Sequence, residues 1–252
     1  MDYLAIQRKR RIKTAIKTTI ISTIVVFFGG WGLFSYVKMQ SLFSEYDLYI
    51  NTITLKLKSD SVKTKLSIPQ SQYFTKVNEC YILGALLLEK ITVPHSLQKL
   101  SIQDCPRLQE LNISKQVYSM YVSRCKSIKE ISIPDSVMLR TEDSNIDELY
   151  DSLAFSTSYI YILECDSLES LAIGKNHTVN VIGGCPELES ITFSGPVYSL
   201  SIKLCDKLSK IYLSDDFTAS EIYYDKSVTF VVSKGSDAEQ FAIEHELDYT
   251  YK

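Results

Sequence analysis

The sequence VYSLSIKLCDKLSKIYLSDD, residues 197–216, places one cysteine between two short runs of alternating apolar residues. Leu200 and Ile202 belong to the run before the cysteine, and Ile211 and Leu213 belong to the run after it. Alternation with a period of two is typical of a strand with one buried face. The stretch therefore predicts two short strands joined by a turn that carries a cysteine.

The same arrangement recurs along the chain at intervals of twenty residues. With five extra residues between Cys80 and Cys105, the interval predicts one structural row of nine positions: Asp60, Cys80, Cys105, Cys125, Asn145, Cys165, Cys185, Cys205 and Asp225. Self-similarity at a short fixed period indicates a solenoid. We interpret the cysteines as free thiols that fill a narrow interior, where a small side chain with a weak S–H donor is favoured.

The N-terminal residues follow a different pattern. A basic cluster at residues 8–13 precedes TTIISTIVVFFGGWGLFSYV, residues 18–37, which carries no charge. Twenty helical residues span about 30 Å, the thickness of a bilayer core. We expect a single membrane-spanning anchor at 18–37, with residues 1–17 as a basic cytoplasmic tail. The alternatives are a cleaved signal peptide, which usually has a shorter apolar region, and a buried helix.

The rest of the chain divides into three predicted parts. Residues 38–49 are too few for a domain and are expected to form a stalk, and residues 50–232 form the repeats. Residues 233–252 are expected to cap the open end of the solenoid, as such ends require. The cap begins with S-x-x-E at Ser236 to Glu239, a capping box that predicts a short helix over 236–246.

The repeat carries a resemblance. The pattern L-x-x-L-x-L-x-x-[CN]-x-x-L, as in LQKLSIQDC and VYSLSIKLC, resembles the leucine-rich repeat. The form C-x-x-L-x-x-I-x-I-P-x-x-V and the tail SKGSDAEQFAIEHELDYTYK resemble the BspA-like bacterial surface family. The resemblance covers about residues 50–252, although the coils here are shorter and lack an A-F-x-x-C signature. It implies a mainly β, right-handed leucine-rich-repeat solenoid that binds partners at a cell surface.

The tyrosines give the clearest indication of a binding site. Five of them are expected at outward positions of the strands before the row of cysteines: Tyr118, Tyr121, Tyr159, Tyr161 and Tyr198. Tyrosine offers a flat apolar ring with a polar tip, which suits recognition of proteins and sugars. The alternative is that tyrosine is simply a good strand residue whose cross-strand pairs stabilise the sheet.

The sequence gives little support for catalysis. The three histidines fall in separate turns and the cap, no phosphate-binding glycine motif is present, and cysteines twenty residues apart do not form a zinc site. We therefore expect no enzyme activity, cofactor or metal. A net charge of −3 gives no reason to expect a nucleic acid partner. A polysaccharide-cleaving β-helix is the enzymatic alternative.

The predicted function is adhesion to, or recognition of, a protein or glycan, by a repeat domain held outside the cell membrane. The alternative is a scaffold that docks other cell-envelope proteins. One coil is irregular, because Arg140 and Glu142 stand where apolar residues belong. We interpret residues 137–157 as a decayed coil or a bulging loop.

Overall fold

The coils predicted from the sequence form a parallel β-solenoid of about eight turns, each of about twenty residues. The computed structural model describes residues 43–49, 52–57, 63–72, 75–136, 158–225 and 227–252. Within these residues, strands one coil apart lie side by side in parallel and their apolar residues share one interior.

The strands before the row of cysteines build one long sheet. In the described part of the chain it has ten strands: β1 (Phe43–Tyr49), β2 (Thr52–Leu57), β4 (Ser71–Gln72), β5 (Thr75–Leu83), β7 (Leu97–Gln103), β9 (Val117–Ser123), β11 (Tyr159–Leu163), β13 (Val179–Gly183), β15 (Ser199–Lys203) and β17 (Glu221–Tyr224). Most neighbours are parallel, while β1 pairs with β2 and β4 pairs with β5 in antiparallel fashion.

The strands after the row of cysteines form two shorter sheets opposite the long one. The first contains β3 (Lys65–Ser67), β6 (Lys90–Val93) and β8 (Glu110–Ile113). The second contains β10 (Glu130–Ile133), β12 (Ser170–Ile173), β14 (Ser190–Phe193), β16 (Lys210–Tyr212), β18 (Thr229–Val232) and β19 (Tyr249–Tyr251). Between the layers, one apolar residue per coil forms a buried row: Leu88, Leu108, Ile128, Leu168, Leu188 and Leu208.

Each turn after the long sheet uses a left-handed backbone residue. These residues have φ between 52° and 66° and stand one per coil: Gly84, Asp104, Arg124, Glu164, Gly184 and Leu204. Their N–H groups continue the ladder to the next coil, as from Asp104 N to the Ser123 carbonyl oxygen at 3.1 Å. The residue that follows each of them points into the core, which is why the row of cysteines lies there.

The row itself contains five of the predicted cysteines: Cys105, Cys125, Cys165, Cys185 and Cys205, all buried. The prediction for Cys80 is wrong. Cys80 lies within β5 and pairs with Leu100, which comes five residues before the row position Cys105. The residue one coil before Cys105 is Ala85, which is also buried. The five extra residues fall earlier in the chain, between β3 and Val77, where the short strand β4 is inserted.

The prediction for Asn145 is also wrong, because no strand separates β9 from β11. Met120 pairs directly with Ile160, and Glu130 of β10 pairs directly with Ser170 of β12. The row therefore passes from Cys125 to Cys165 without a position between them. Asn145 itself lies outside the described residues, as does Asp60.

Asp225 is not a member of the row either. The last coil has two extra residues, so Ile202 pairs with Tyr224. Asp225 therefore comes two residues before the position that continues the row of cysteines. Its side chain is exposed, and its Oδ2 accepts a hydrogen bond of 2.7 Å from Leu204 N. The carboxylate thus takes the place of the carbonyl that the other left-handed residues find in the next coil.

The C-terminal cap agrees with the predicted helix. Helix α1 (Asp237–Glu244) begins at Ser236, whose hydroxyl accepts from Glu239 N at 3.2 Å. Its face packs Phe241 against Phe217 of the last coil, with ring centroids 5.4 Å apart. The chain then adds β19 beside β18, so the cap closes the end with both a helix and an edge strand.

At the N-terminal end, residues 43–49 of the predicted stalk form β1 and extend the long sheet. The predicted anchor at 18–37 lies outside the described residues. Within the residues that the structure does describe, no helix has the length and apolar character needed to cross a membrane.

Candidate functional site: a tyrosine face and a neighbouring cleft

Three of the five predicted binding tyrosines meet on the outer face of the long sheet. Tyr121 and Tyr161 are paired in register on β9 and β11, and their ring centroids are 6.2 Å apart. Tyr159 lies two residues before Tyr161, and their rings meet edge to face at 5.5 Å. We call Tyr121, Tyr159 and Tyr161 the tyrosine face.

The same outward row includes Tyr81, which the sequence analysis missed. Tyr81 pairs with Ser101, and Ser101 pairs with Tyr121. Ser101 is only 8% exposed although it points outward, so its larger neighbours cover it. Tyr81 Oη donates to Glu79 Oε2 at 3.1 Å, and burial, with Glu79 beside it, raises the pKa of Tyr81 to about 12.

Tyr118 and Tyr198 lie elsewhere. Both belong to a row at the beginning of individual strands of the long sheet. Hydrogen bonds connect that row from Tyr118 through Ser158 and Thr178 to Tyr198. Three coil spacings separate the two tyrosines by about 14 Å. Tyr198 is 57% exposed, whereas Tyr118 is half-buried in a cleft.

The cleft lies along the turns that return the chain to the long sheet. Its volume is about 510 Å³, and its walls include His95, Gln116, Tyr118 and Ser136. His95 Nε2 is 3.2 Å from the Val77 carbonyl oxygen, and burial lowers the pKa of His95 below its ordinary value. Burial also raises the pKa of Tyr118. Both groups are therefore neutral near pH 7.

The two other histidines lie away from the cleft and from each other. His177 is fully buried between the turns of two coils, while His245 is exposed on the cap and stacks on Phe241 at 4.4 Å. Across the described residues, no three His, Cys, Asp or Glu side chains are grouped as metal ligands.

The row of cysteines is packed rather than open to solvent. Each thiol donates to the carbonyl two residues before it, as from Cys105 Sγ to Gln103 O at 3.3 Å. Burial raises the pKa of Cys80 to about 12, and hydrogen bonding to Cys165 together with burial raises that of Cys185 to about 12. Hydrogen bonds from neighbouring row cysteines lower the pKa values of Cys105 and Cys165 instead. All five thiols of the row are buried away from reactants, so these cysteines fit a structural role.

Comparison of the chain with models of known protein families, with curated proteins and with solved structures gave no match.

Proposed function

We propose that the chain is a non-catalytic recognition protein, a short-coil leucine-rich-repeat solenoid of the BspA-like kind, and that it binds a protein partner through the tyrosine face. The observation that carries this proposal is the contact between Tyr121, Tyr159 and Tyr161 on an outward sheet surface. Tyrosine is among the residues that dominate the energy of protein interfaces.

The shape of the face supports a protein rather than a small molecule as its partner. The rings lie on neighbouring parallel strands, which form a flat platform instead of an enclosed pocket. Backbone pairing on both sides holds the strands in place, so binding orders few additional groups. A preformed surface of this kind costs little conformational entropy on association.

The opposite side of the solenoid is a weaker candidate. Its outward charges pair with each other across coils, as between Lys90 and Glu110 and between Lys129 and Glu169 at 2.6 Å. Charges that already have partners offer less to a binding protein. This contrast favours recognition through the tyrosine face over docking through the shorter sheets.

The N-terminal anchor belongs to the same proposal. Residues 18–37 are uncharged, long enough to span a bilayer, and preceded by basic residues. A single-pass anchor with a cytoplasmic N-terminus would present the tyrosine face outside the cell.

The proposal can be tested with the full-length chain on its host cells. Tyr121, Tyr159 and Tyr161 are replaced together by serine. Tyr249 and Tyr251 are replaced in a matched control, since both are exposed and lie on β19 in the other sheet. Surface proteins that are cross-linked to each variant are quantified by mass spectrometry. We expect a defined partner whose affinity for the wild type and the control exceeds that for the triple variant by about 30-fold.

The circular dichroism spectrum of the triple variant should match that of the wild type, because outward tyrosines do not form the core. Equal recovery of every cross-linked protein with all three chains would contradict the proposal and favour the scaffold alternative.

A further inference from the structure

The cleft beside Tyr118 combines residues from several successive coils. Gln70 and Asn78 come from the coil with the inserted strand β4, His95 and Gln98 from the next, and Gln116 from the one after. A volume of about 510 Å³ lies within the usual range for small-molecule sites, about 300–1,000 Å³. The tyrosine face does not contribute to its walls.

Three residues that line this cleft each have a buried polar atom without a hydrogen-bond partner. The atoms are His95 Nδ1, Tyr118 Oη and Ser136 Oγ, and they make up half of the six such side-chain atoms in the described residues. His95 is 8% exposed and Ser136 is 3% exposed. Buried polar groups are nearly always paired in folded proteins, so three unpaired ones in residues that line one cleft point to groups that a ligand supplies.

The tautomer of His95 defines what the ligand must offer. Nε2 lies 3.2 Å from the Val77 carbonyl oxygen, which can only accept, so Nε2 carries the hydrogen. Nδ1 of the neutral ring is then an acceptor. The Tyr118 hydroxyl can donate or accept, and so can that of Ser136. A ligand hydroxyl meets both requirements, because it donates to Nδ1 and accepts from a neighbouring hydroxyl.

The rest of the lining selects a neutral ligand. Four amide side chains line the cleft, namely Gln70, Asn78, Gln98 and Gln116, and each can donate and accept. Lys115 is the one charged residue among those that line it. An anion is usually held by several charge-assisted hydrogen bonds. An apolar ligand would leave the buried polar atoms unpaired, which costs free energy.

We propose that this cleft is a binding site for a neutral oligosaccharide, with sugar hydroxyls bound by His95, Tyr118 and Ser136. A shallow groove continues from the cleft past Ser114 and Pro134, and it shares Lys115 and Gln116 with the cleft. The groove extends the site so that a second sugar unit can lie beside the first. This site is separate from the proposed protein-binding face, and either can exist without the other.

The test uses the full-length chain and four neutral trisaccharides, namely cellotriose, chitotriose, mannotriose and maltotriose, with trigalacturonate as the acidic comparison. Binding at millimolar concentration is followed by saturation-transfer NMR and calorimetry. We expect at least one neutral trisaccharide to bind and to exceed trigalacturonate in affinity. Tyr118→Phe and Ser136→Ala should each weaken that binding by roughly 2- to 12-fold, since each removes one neutral hydrogen bond.

The two variants also separate a binding role from a structural one. Each removes an atom that has no partner in the free protein, so the free chain should unfold at the same temperature or a higher one. Tyr198→Phe is the matched control, because Tyr198 occupies the same strand position three coils away and lies outside the cleft.

Three outcomes would overturn the proposal. The first is that none of the neutral trisaccharides binds, and the second is that trigalacturonate binds more tightly than all of them. The third is a neutral trisaccharide that binds the Tyr118→Phe and Ser136→Ala variants as tightly as the wild type. Loss of sugar binding on replacement of Tyr121, Tyr159 and Tyr161, with the cleft variants unaffected, belongs to this third outcome and would place the sugar on the tyrosine face.

Discussion

The coils after residue 158 and the junction between β10 and β12 are held together in different ways. Along the regular coils, each contact recurs one coil later, as the buried leucines and cysteines do. At the junction, two coils that are forty residues apart in sequence pack directly on each other. The polar side-chain contacts of His177 and Asn176 are found at the junction, and the regular coils do not repeat them.

The apolar rows continue across the junction, and the junction adds polar contacts to them. His177 Nδ1 is 2.9 Å from Ser158 Oγ, and its Nε2 is 3.0 Å from the Pro134 carbonyl oxygen. Asn176 Nδ2 donates to the Ser136 carbonyl oxygen at 2.8 Å. The side chain of His177 therefore bridges the last residues before the junction and the first residues after it.

The junction also creates the tyrosine face. Because β9 pairs with β11, Tyr121 and Tyr161 become neighbours although forty residues separate them. A regular coil between these strands would add one strand spacing, about 4.8 Å, and interrupt the ring contact. The difference between the two regions teaches that regular coils repeat one set of contacts, while the irregular junction brings the side chains of the tyrosine face together.

The largest effect is expected for Gly174→Ala at the junction. A Cβ at this position would lie 2.4 Å from Asp135 N and 2.5 Å from the Pro134 carbonyl carbon, both in the backbone. The two coils would have to separate, and we expect a loss of about 3 kcal/mol in the free energy of unfolding, measured with urea.

Gly195→Ala is the control for that substitution. Its Cβ would meet the Lys175 side chain at 3.1 Å, and a flexible side chain can move away. A similar loss for both glycines would show that close packing at the junction is not what Gly174 provides.

The second effect concerns His177→Phe, which keeps a ring but removes both hydrogen bonds. The Pro134 carbonyl oxygen loses the His177 ring nitrogen as its partner, and we expect a cost of about 2 kcal/mol in the free energy of unfolding. His245→Phe, on the exposed cap, should change stability little. Equal effects at the two histidines would contradict the bridging role of His177.

The pH dependence of folding stability gives a further test of the role of His177. Burial lowers the pKa of His177 below its ordinary value of 6.5, so the unfolded chain binds this proton more readily than the folded one. The stability that His177 contributes is complete above pH 6.5 and is lost progressively as the pH falls below it. His95 acts in the same direction.

Urea unfolding at a series of pH values should show this loss begin above the range where carboxylates such as Asp104, with an ordinary pKa of 3.8, are protonated. The free energy of unfolding should change less with pH in the His177→Phe variant than in the wild type. An unchanged pH dependence would mean that His177 is protonated equally in the folded and unfolded chains.

A smaller effect is expected in the regular row of cysteines. Cys185→Ala should cost about 1 kcal/mol, because the pocket is small and the row already contains Ala85. Cys185→Ser should cost about 1.5 kcal/mol, since it brings a more polar group into a dry interior. Urea unfolding measures both, and an effect larger than that of Gly174→Ala would reverse the proposed order of the two regions.

The thiols provide an independent check of the same row. All six cysteines of the chain should react slowly with a thiol reagent in the native protein and rapidly after denaturation. Fast reaction of three or more thiols in the native chain would show that the row is open to solvent.

The smallest effect is expected for the ion pairs on the outside of the coils. Lys207 and Glu187 lie one coil apart, and both side chains are about half exposed. Exposed pairs contribute little to stability because water and salt screen them. Lys207→Gln should leave urea unfolding unchanged within error, and a clear loss would show that these outer pairs help to hold the coils together.

The regular coils were predictable from the sequence because the interval of twenty residues recurs from Cys165 to Cys205. The prediction was wrong where the interval changes. At the N-terminal end, Cys80 was assigned to the row, although Ala85 has the correct spacing to the buried Leu88. At the other end, two extra residues shift Asp225. A count based on residue type does not reveal an insertion, whereas the buried apolar spacing does.

The tyrosine face was predictable in part for the same reason. Alternation along the strand identifies Tyr121, Tyr159 and Tyr161 as outward residues. It fails for Tyr118, because the alternation is interrupted within β9, where Ser119 and Met120 are both buried. Tyr81 was missed because the error at Cys80 shifted its place in the coil. The cleft has no sequence signature, since its residues come together only when the turns of successive coils stack.

The central claim is that the junction places Tyr121 beside Tyr161, and the most direct test is dityrosine cross-linking. The full-length chain is photo-oxidised, digested and analysed by mass spectrometry, with the Tyr249–Tyr251 pair, 5.9 Å apart, as the internal reference. We predict a cross-linked peptide that joins Tyr121 to Tyr161 and disappears in Tyr121→Phe. Formation of the reference link without the Tyr121–Tyr161 link would contradict the direct pairing of β9 with β11, and with it the tyrosine face.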